Sequence, residues 1–223
     1  YYDRVNYETP ELNYGVGFNL ELNKNLSVEG TLNPDFSQVE SDATRIDINS
    51  PTAINYPEKR PFFNRGIDAM DYQIDVFYSR SINDPSFASK IINQGRKSRL
   101  YVLNAFDEQT PYLGPTQYEN FSGIVGKSFS NVIRYQNFIN SKTQIGLLAS
   151  NRYYEGDAYG NLYGFDALFN FSDVWKFEFE AFLNNNKEPD ADWIDSDKKF
   201  GDYSVRLDGE SLSGNAVFAT LRR

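Results

Sequence analysis

The stretch Asn13–Leu32, NYGVGFNLELNKNLSVEGTL, decides the fold. Tyr14, Val16, Phe18, Leu20 and Leu22 fall on one side, and Asn13, Gly15, Gly17, Asn19 and Glu21 on the other. A period of two over this length is a β-strand with one apolar face. Asn23-Lys24-Asn25 follows, and Asn tolerates the positive φ of a tight turn. The chain then returns with Leu26, Val28, Gly30 and Leu32 opposite Ser27, Glu29 and Thr31. The stretch is an antiparallel hairpin.

C-terminal to the hairpin lies Asn33–Phe63, NPDFSQVESDATRIDINSPTAINYPEKRPFF. It carries Pro34, Pro51 and Pro57 and a dense mix of charges, so it extends as neither strand nor helix. A connection longer than about 15 residues in a compact protein is functional or disordered. Phe36, Val39, Ile46, Ile48, Ile54, Phe62 and Phe63 are anchors for folding it against something, and the reading takes 33–71 as one long insertion.

Further strands are expected near 72–80, 98–106, 132–139, 143–151, 163–171, 175–183, 201–208 and 212–221, with 81–97 as a polar connection containing Pro85. Long connections are expected at 107–130 and 185–200. Together with the first hairpin this gives about ten antiparallel strands, with short turns alternating with long loops. The 81–97 connection breaks that alternation, because it stands where a short turn belongs.

Two architectures fit such a pattern. In a soluble sandwich the apolar face is the core. In a transmembrane β-barrel it faces lipid and the polar face lines a lumen. Strand lengths of about 9–11 residues, Phe- and Tyr-rich apolar faces, and full charges such as Glu178, Glu180, Arg206 and Asp208 on the polar faces favour the barrel. The fold expected is all-β, an antiparallel transmembrane β-barrel with a long inserted loop, and 1–223 is read as a single barrel region.

Composition narrows the chemistry. The chain has no Cys and no His, which removes Cys nucleophiles, His bases, disulfides and the usual zinc ligands. A net charge of -9 argues against a nucleic-acid partner. No run of about 18 apolar residues offers a transmembrane helix. Tyr1 opens in polar sequence without a signal peptide, so a secreted protein is expected here in mature or truncated form.

Candidate site residues are few. Asp35, Glu40 and Asp42 could offer oxygen ligands to Ca²⁺, but their spacing is not that of an EF-hand, and an acidic solvated loop is the plainer reading. Glu58, Lys59, Arg60 and Arg80 form a mixed charge cluster. It reads either as a gate for a ligand or as an ion-pair network that pins a folded-in loop to a barrel wall, and the second is favoured. Phe62 and Phe63 then anchor that loop. Tyr153, Tyr154 and Tyr159 could stack on a glycan or sit in an interfacial girdle. Paired carboxylates such as Asp190 with Asp192, or Asp195 with Asp197, keep a glycan hydrolase open. Serines without a His or Lys partner give no hydrolase triad, and no phosphate loop occurs.

Three motifs carry a resemblance. Asn33, Pro34, Asp35, Phe36, Ser37, Gln38, Val39 and Glu40 form NPDFSQVE. Pro57 to Phe63 form PEKRPFF, and Phe77 to Arg80 form FYSR. Together they resemble a family of outer-membrane proteins of unknown function. Its members carry a carbohydrate-binding-like β-sandwich domain of the family-nine type, followed by a long β-barrel region. The resemblance implies that this chain is the first part of the barrel, with the sandwich domain and the remaining strands absent. It implies a Gram-negative cell outer membrane, with lipid, a glycan or other outer-membrane proteins as partners and no cofactor. The function expected is non-enzymatic: passage or capture of a solute, plausibly a glycan, with Asn33, Pro34, Asp35, Phe36, Gln38, Glu40, Glu58, Lys59, Arg60, Phe62, Phe63 and Arg80 as the plug or lid motif. A subunit of a larger assembly and a carboxylate-dependent hydrolase are the alternatives.

Overall fold

The structure is a computed structural model that describes residues 14–34, 57–115, 120–191, 199–200, 203–204 and 207–223. The described residues are all-β apart from one helical turn, α1 (Pro61–Asn64), and two short 3-10 turns. Strands β1 (Val16–Glu21), β2 (Leu26–Leu32), β3 (Pro85–Gln94) and β4 (Ser98–Asp107) begin the main sheet. A small hairpin follows, β5 (Pro111–Pro115) with β6 (Asn120–Ile124). The main sheet resumes with β7 (Ser128–Asn140), β8 (Thr143–Tyr154), β9 (Tyr159–Asn170) and β10 (Lys176–Lys187). Four two-residue strands, β11 (Asp190–Ala191), β12 (Lys199–Phe200), β13 (Tyr203–Ser204) and β14 (Leu207–Asp208), precede β15 (Ser211–Arg222). The nine main strands pair antiparallel in the order β1-β2-β3-β4-β7-β8-β9-β10-β15. Among the described residues β1 and β15 each have one neighbour, so the described sheet is open.

The strand register sorts the side chains onto two faces. On the outward face large apolar residues stand free of protein: Phe18 is 54% exposed, Leu147 56%, Leu183 63% and Val217 65%. On the inward face polar groups are buried, including Glu29, Lys90, Asp107, Arg134 and Glu180. This is the inverse of a soluble sheet, where burial goes to the apolar side. The inward face is covered by the segment 57–84, which connects β2 to β3. Phe63, Ala69, Tyr72 and Ile82 from that segment pack on Ala88, Ile92, Tyr101, Leu103, Val132, Leu148 and Phe182 of the strands.

Three sequence expectations are corrected here. Residues 81–97 are not a polar connection, because 85–94 is strand β3. Its period was masked by mixed faces. Ala88, Lys90 and Ile92 point inward under the covering segment, while Phe87, Ser89 and Ile91 point outward. Pro85 stands at the first position of the strand, where a missing N–H is tolerated. Conversely, 72–80 alternates but is no strand: it lies against the sheet, and Ser79–Ser81 is a 3-10 turn. Its alternation records one side packed on the wall. The expected strand at 201–208 is likewise replaced by the short pieces β13 and β14 within the β10–β15 connection.

These corrections restore the alternation of connections. Short turns at 22–25, 95–97, 141–142 and 171–175 gather at one rim. The connections 33–84, 108–127, 155–158 and 188–210 all leave the other rim. No described helix is long and apolar enough to cross a membrane, which leaves crossing by strands untouched.

Candidate functional site: the covered inner face

The site is the seam between the inward face and segment 57–84. Its chemistry is set by charged side chains placed on alternate positions of successive strands. Cations of the wall reach carbonyls of the segment. Lys90 of β3 donates from Nζ to Arg65 O at 2.9 Å and also to Phe62 O. Arg134 of β7 donates from Nε to Ala69 O at 3.0 Å. Arg152 of β8 donates to Ser81 O at 3.1 Å, and to Ser130 Oγ at 2.8 Å. Anions of the wall receive N–H groups of the segment. Asp107 of β4 accepts from Asn83 N at 2.8 Å and Asp84 N at 2.6 Å. Glu180 of β10 accepts from Gln73 N at 2.9 Å and from Ile74 N at 3.2 Å.

Each of these hydrogen bonds has a charged partner, a class that contributes about 1.5–3 kcal/mol where a neutral bond gives about 1. Most of these holds are on the main chain of the segment, with side-chain contacts added to them, such as Arg152 Nη2 to Ser81 Oγ at 3.2 Å. The wall charges are balanced by a second layer. Glu29 of β2 pairs with Lys90 at 3.1 Å and with Arg65 at 2.9 Å. Asp166 of β9 pairs with Arg134, the second bond running from Nη2 at 3.0 Å. The Arg134 guanidinium also lies 4.7 Å from the centre of the Tyr72 ring. Gly146 of β8 makes room for this pair: a Cβ there would fall inside the Arg134–Asp166 contact.

The segment also holds itself. Arg60 is almost fully buried, with Nε 3.0 Å and Nη2 2.9 Å from the two Glu58 oxygens. It donates to Ile82 O at 2.6 Å and Ser79 O at 3.1 Å, so it clips the start of the segment to its end. Ser79 Oγ donates to Glu58 at 2.6 Å. Burial acts to raise the Glu58 carboxyl, but its bonds from Arg60 and Ser79 outweigh that and hold it below the ordinary carboxylate range. The Tyr72 hydroxyl is pushed well above its ordinary range by burial. The Phe63 ring lies 4.1 Å below the Arg60 guanidinium and meets Phe62 edge-on at 5.1 Å.

The sequence-named residues fall as follows. Glu58, Arg60, Phe62 and Phe63 come together in the clip, and Arg80 reaches back to Pro57 O at 3.1 Å. Lys59 sits exposed between Glu58 and Arg60. Asn33 adopts φ 43° and donates from Nδ2 to Tyr14 O at 3.0 Å, beside Pro34, where the chain leaves the sheet. Asp35, Phe36, Gln38, Glu40 and Asp42 lie outside the described residues, and the Ca²⁺ candidate with them. Among the described residues no three carboxylates converge on a metal position. Tyr153 and Tyr159 are register partners on the outward face. Tyr154 is on the inward side, its ring 5.9 Å from that of Tyr112. The three tyrosines therefore do not share one surface.

Sequence reasoning missed Lys90, Asp107, Arg134, Arg152 and Asp166. The signal that finds them is a full charge at an inward position of a strand whose alternate residues are apolar, as in VIRYQ at 132–136. Two small cavities among the described residues, one lined by Glu21, Asn25 and Arg65 and one by Val76, Ile82 and Arg152, hold about 160 and 110 Å³. Both are below the roughly 300 Å³ at which small-molecule pockets begin.

Residues 2–108 match the profile of an uncharacterised family, Domain of unknown function (DUF5916). The match spans just under half of the 223 residues, and in the described structure it takes in β1 to β4 and segment 57–84. Over this part the resemblance to an uncharacterised family holds. No curated protein and no solved structure matches the chain.

Proposed function

We propose that this chain forms part of a lipid-facing β-barrel in a Gram-negative outer membrane, and that segment 57–84 is its plug. The observation that carries the reading is the inversion of the sheet. Large apolar side chains stand exposed on the outward face, while charges are buried on the inward face and hold the segment by its backbone. Two features support it. The five strands of the main sheet from β7 onward run 12 or 13 residues, long enough to cross about 25–30 Å of hydrocarbon at a tilt. Three of the four connections at one rim are long, 155–158 being the short exception, and all those at the other rim are short, close to the asymmetry of outer-membrane barrels. Under this reading the plug enters from the outer rim.

The role is gated passage or capture of a solute, without catalysis; the resemblance adds a glycan as the solute class. In line with this, each buried carboxylate of the site is engaged in holding structure. Glu58 is held by Arg60, Asp166 by Arg134, Glu29 by Lys90 and Arg65, and Asp107 and Glu180 by main-chain N–H groups.

The test is conductance in a planar lipid bilayer. The parent protein is expected to conduct little. The double variant Arg134→Ala with Glu180→Ala loses two of the wall's holds on the segment and is expected to show frequent large openings. A variant that inserts and conducts no more than the parent overturns the plug. A parent that does not insert overturns the membrane reading.

A further inference from the structure

The outward face carries a pattern that the plug does not explain. The register places Ser89, Asn104, Asn131, Asn151, Asn161, Asn185 and Ser213 in one row across seven adjacent strands. Asn131 donates to Asn104 at 2.6 Å and Asn151 to Asn161 at 2.7 Å. A row of amides across a lipid-facing surface looks like a contradiction, because polar groups in hydrocarbon are costly.

The neighbouring rows resolve it. Next to the amide row on the side of the long connections runs Leu32-Phe87-Phe106-Phe129-Tyr153-Tyr159-Lys187-Ser211. It changes from apolar to amphipathic to charged as the strands advance. Near the short-turn rim the row Ser98-Asn137-Ile145-Ala167-Phe179-Ala219 changes the opposite way, from polar to apolar. The apolar band is therefore not parallel to the rows. On β3 it centres on Ser89, between Phe87 and Ile91. On β15 it centres on Ala219, between Val217 and Leu221, and Ala219 stands six residues beyond Ser213, the register partner of Ser89 six strands away. The band shifts by one residue per strand.

We infer that this oblique band is where the sheet meets the bilayer, with the strands tilted by about 35° from the membrane normal; the inference rests on the membrane reading above. The angle follows from a shift of about 3.3 Å along the strand for each strand spacing of about 4.8 Å. It agrees with the roughly 35–45° of transmembrane barrels, although nothing about a barrel entered the arithmetic. The amide row then climbs through the membrane. Ser89 lies near the midplane, and the self-paired Asn104 and Asn131 lie in hydrocarbon, where each satisfies the other. Asn161 comes close to the edge of the hydrocarbon beside Tyr159, and Ser213 lies beyond that edge. The rise is about 2.7 Å per strand and about 16 Å in all. At the opposite boundary stand Phe171, Trp175 and Phe177, with the Arg223 guanidinium 5.9 Å from the Trp175 ring. That is an aromatic and cationic set suited to headgroups.

The chain has no Cys, so single cysteines can be introduced and labelled. The experiment places bimane at Ser89, Asn131, Asn161, Ser213 and, as a lipid-contact control, Leu147. The protein is held in phosphatidylcholine vesicles whose acyl chains are brominated at stepped depths. Expected is strongest quenching by deep bromines at Ser89 and Leu147, by progressively shallower ones at Asn131 and Asn161, and none at Ser213. Native Trp175 in a Trp193→Phe chain, which needs no label, is expected to respond to shallow bromines. Equal depth along the row, with Leu147 quenched, overturns the tilt and leaves the membrane reading standing. No quenching at Leu147 or Trp175 overturns the membrane reading itself.

Discussion

Glu58 and Arg60 show how much one pair of residues can decide. Both side chains are buried, and the guanidinium spans from the carboxylate to the carbonyls of Ser79 and Ile82. Glu58→Gln leaves Arg60 buried without its counter-charge, a change that costs about 3–5 kcal/mol. The expected outcome is faster proteolysis within 57–84 with the strand signal in circular dichroism retained. The pH dependence follows from the same carboxyl. Its folded-state pKa is depressed, so its stabilisation is present above the ordinary carboxylate range and is lost as pH falls through the lowered value. Proteolysis of the segment is expected to stay flat from pH 7 to about 5 and to rise only below the ordinary carboxylate pKa, which falls near 4.3. A rise centred on pH 6 would mean that Glu58 does not hold the clip.

At the scale of the strands, β8 and β9 have glycines where neighbours need their space. Gly146 faces the Arg134–Asp166 pair, and at Gly164 a Cβ would come within 2.6 Å of the Phe182 ring. Gly146→Val is expected to force the ion pair off its seat and cost about 1–3 kcal/mol or more, read as a lowered Tm. Gly160→Ala, whose new Cβ would meet Asn186 Oδ1 at 3.5 Å, is expected to leave Tm nearly unchanged. Equal effects from the two would show that the pair is not wedged there. This scale is also where the sequence was most and least legible. The β1–β2 hairpin could be read directly, because both strands have one clean apolar face and Asn-rich turn chemistry joins them. Strand β3 could not, because Ala88 and Ile92 sit on its inner side under segment 57–84 while Ser89 interrupts its outer side. The first part of segment 57–84 was visible as an insertion, read as 33–71, but its hold on the wall was not. Lys90, Arg134 and Glu180 bind backbone carbonyls and N–H groups, and backbone leaves no mark in a sequence.

For the whole molecule we propose that the sheet is turned inside out because its outer solvent is lipid. Burial, connection lengths and the drift of the apolar band each bear on it separately. Phe18, Leu147, Leu183 and Val217 would form a large aggregation-prone surface in water. The most direct measurement is extraction of membranes carrying the intact protein with alkaline carbonate, which strips proteins held by surface contacts. The account expects the protein to remain in the sedimented membranes. Release into the supernatant would contradict it and would mean that the apolar face is covered by another protein surface.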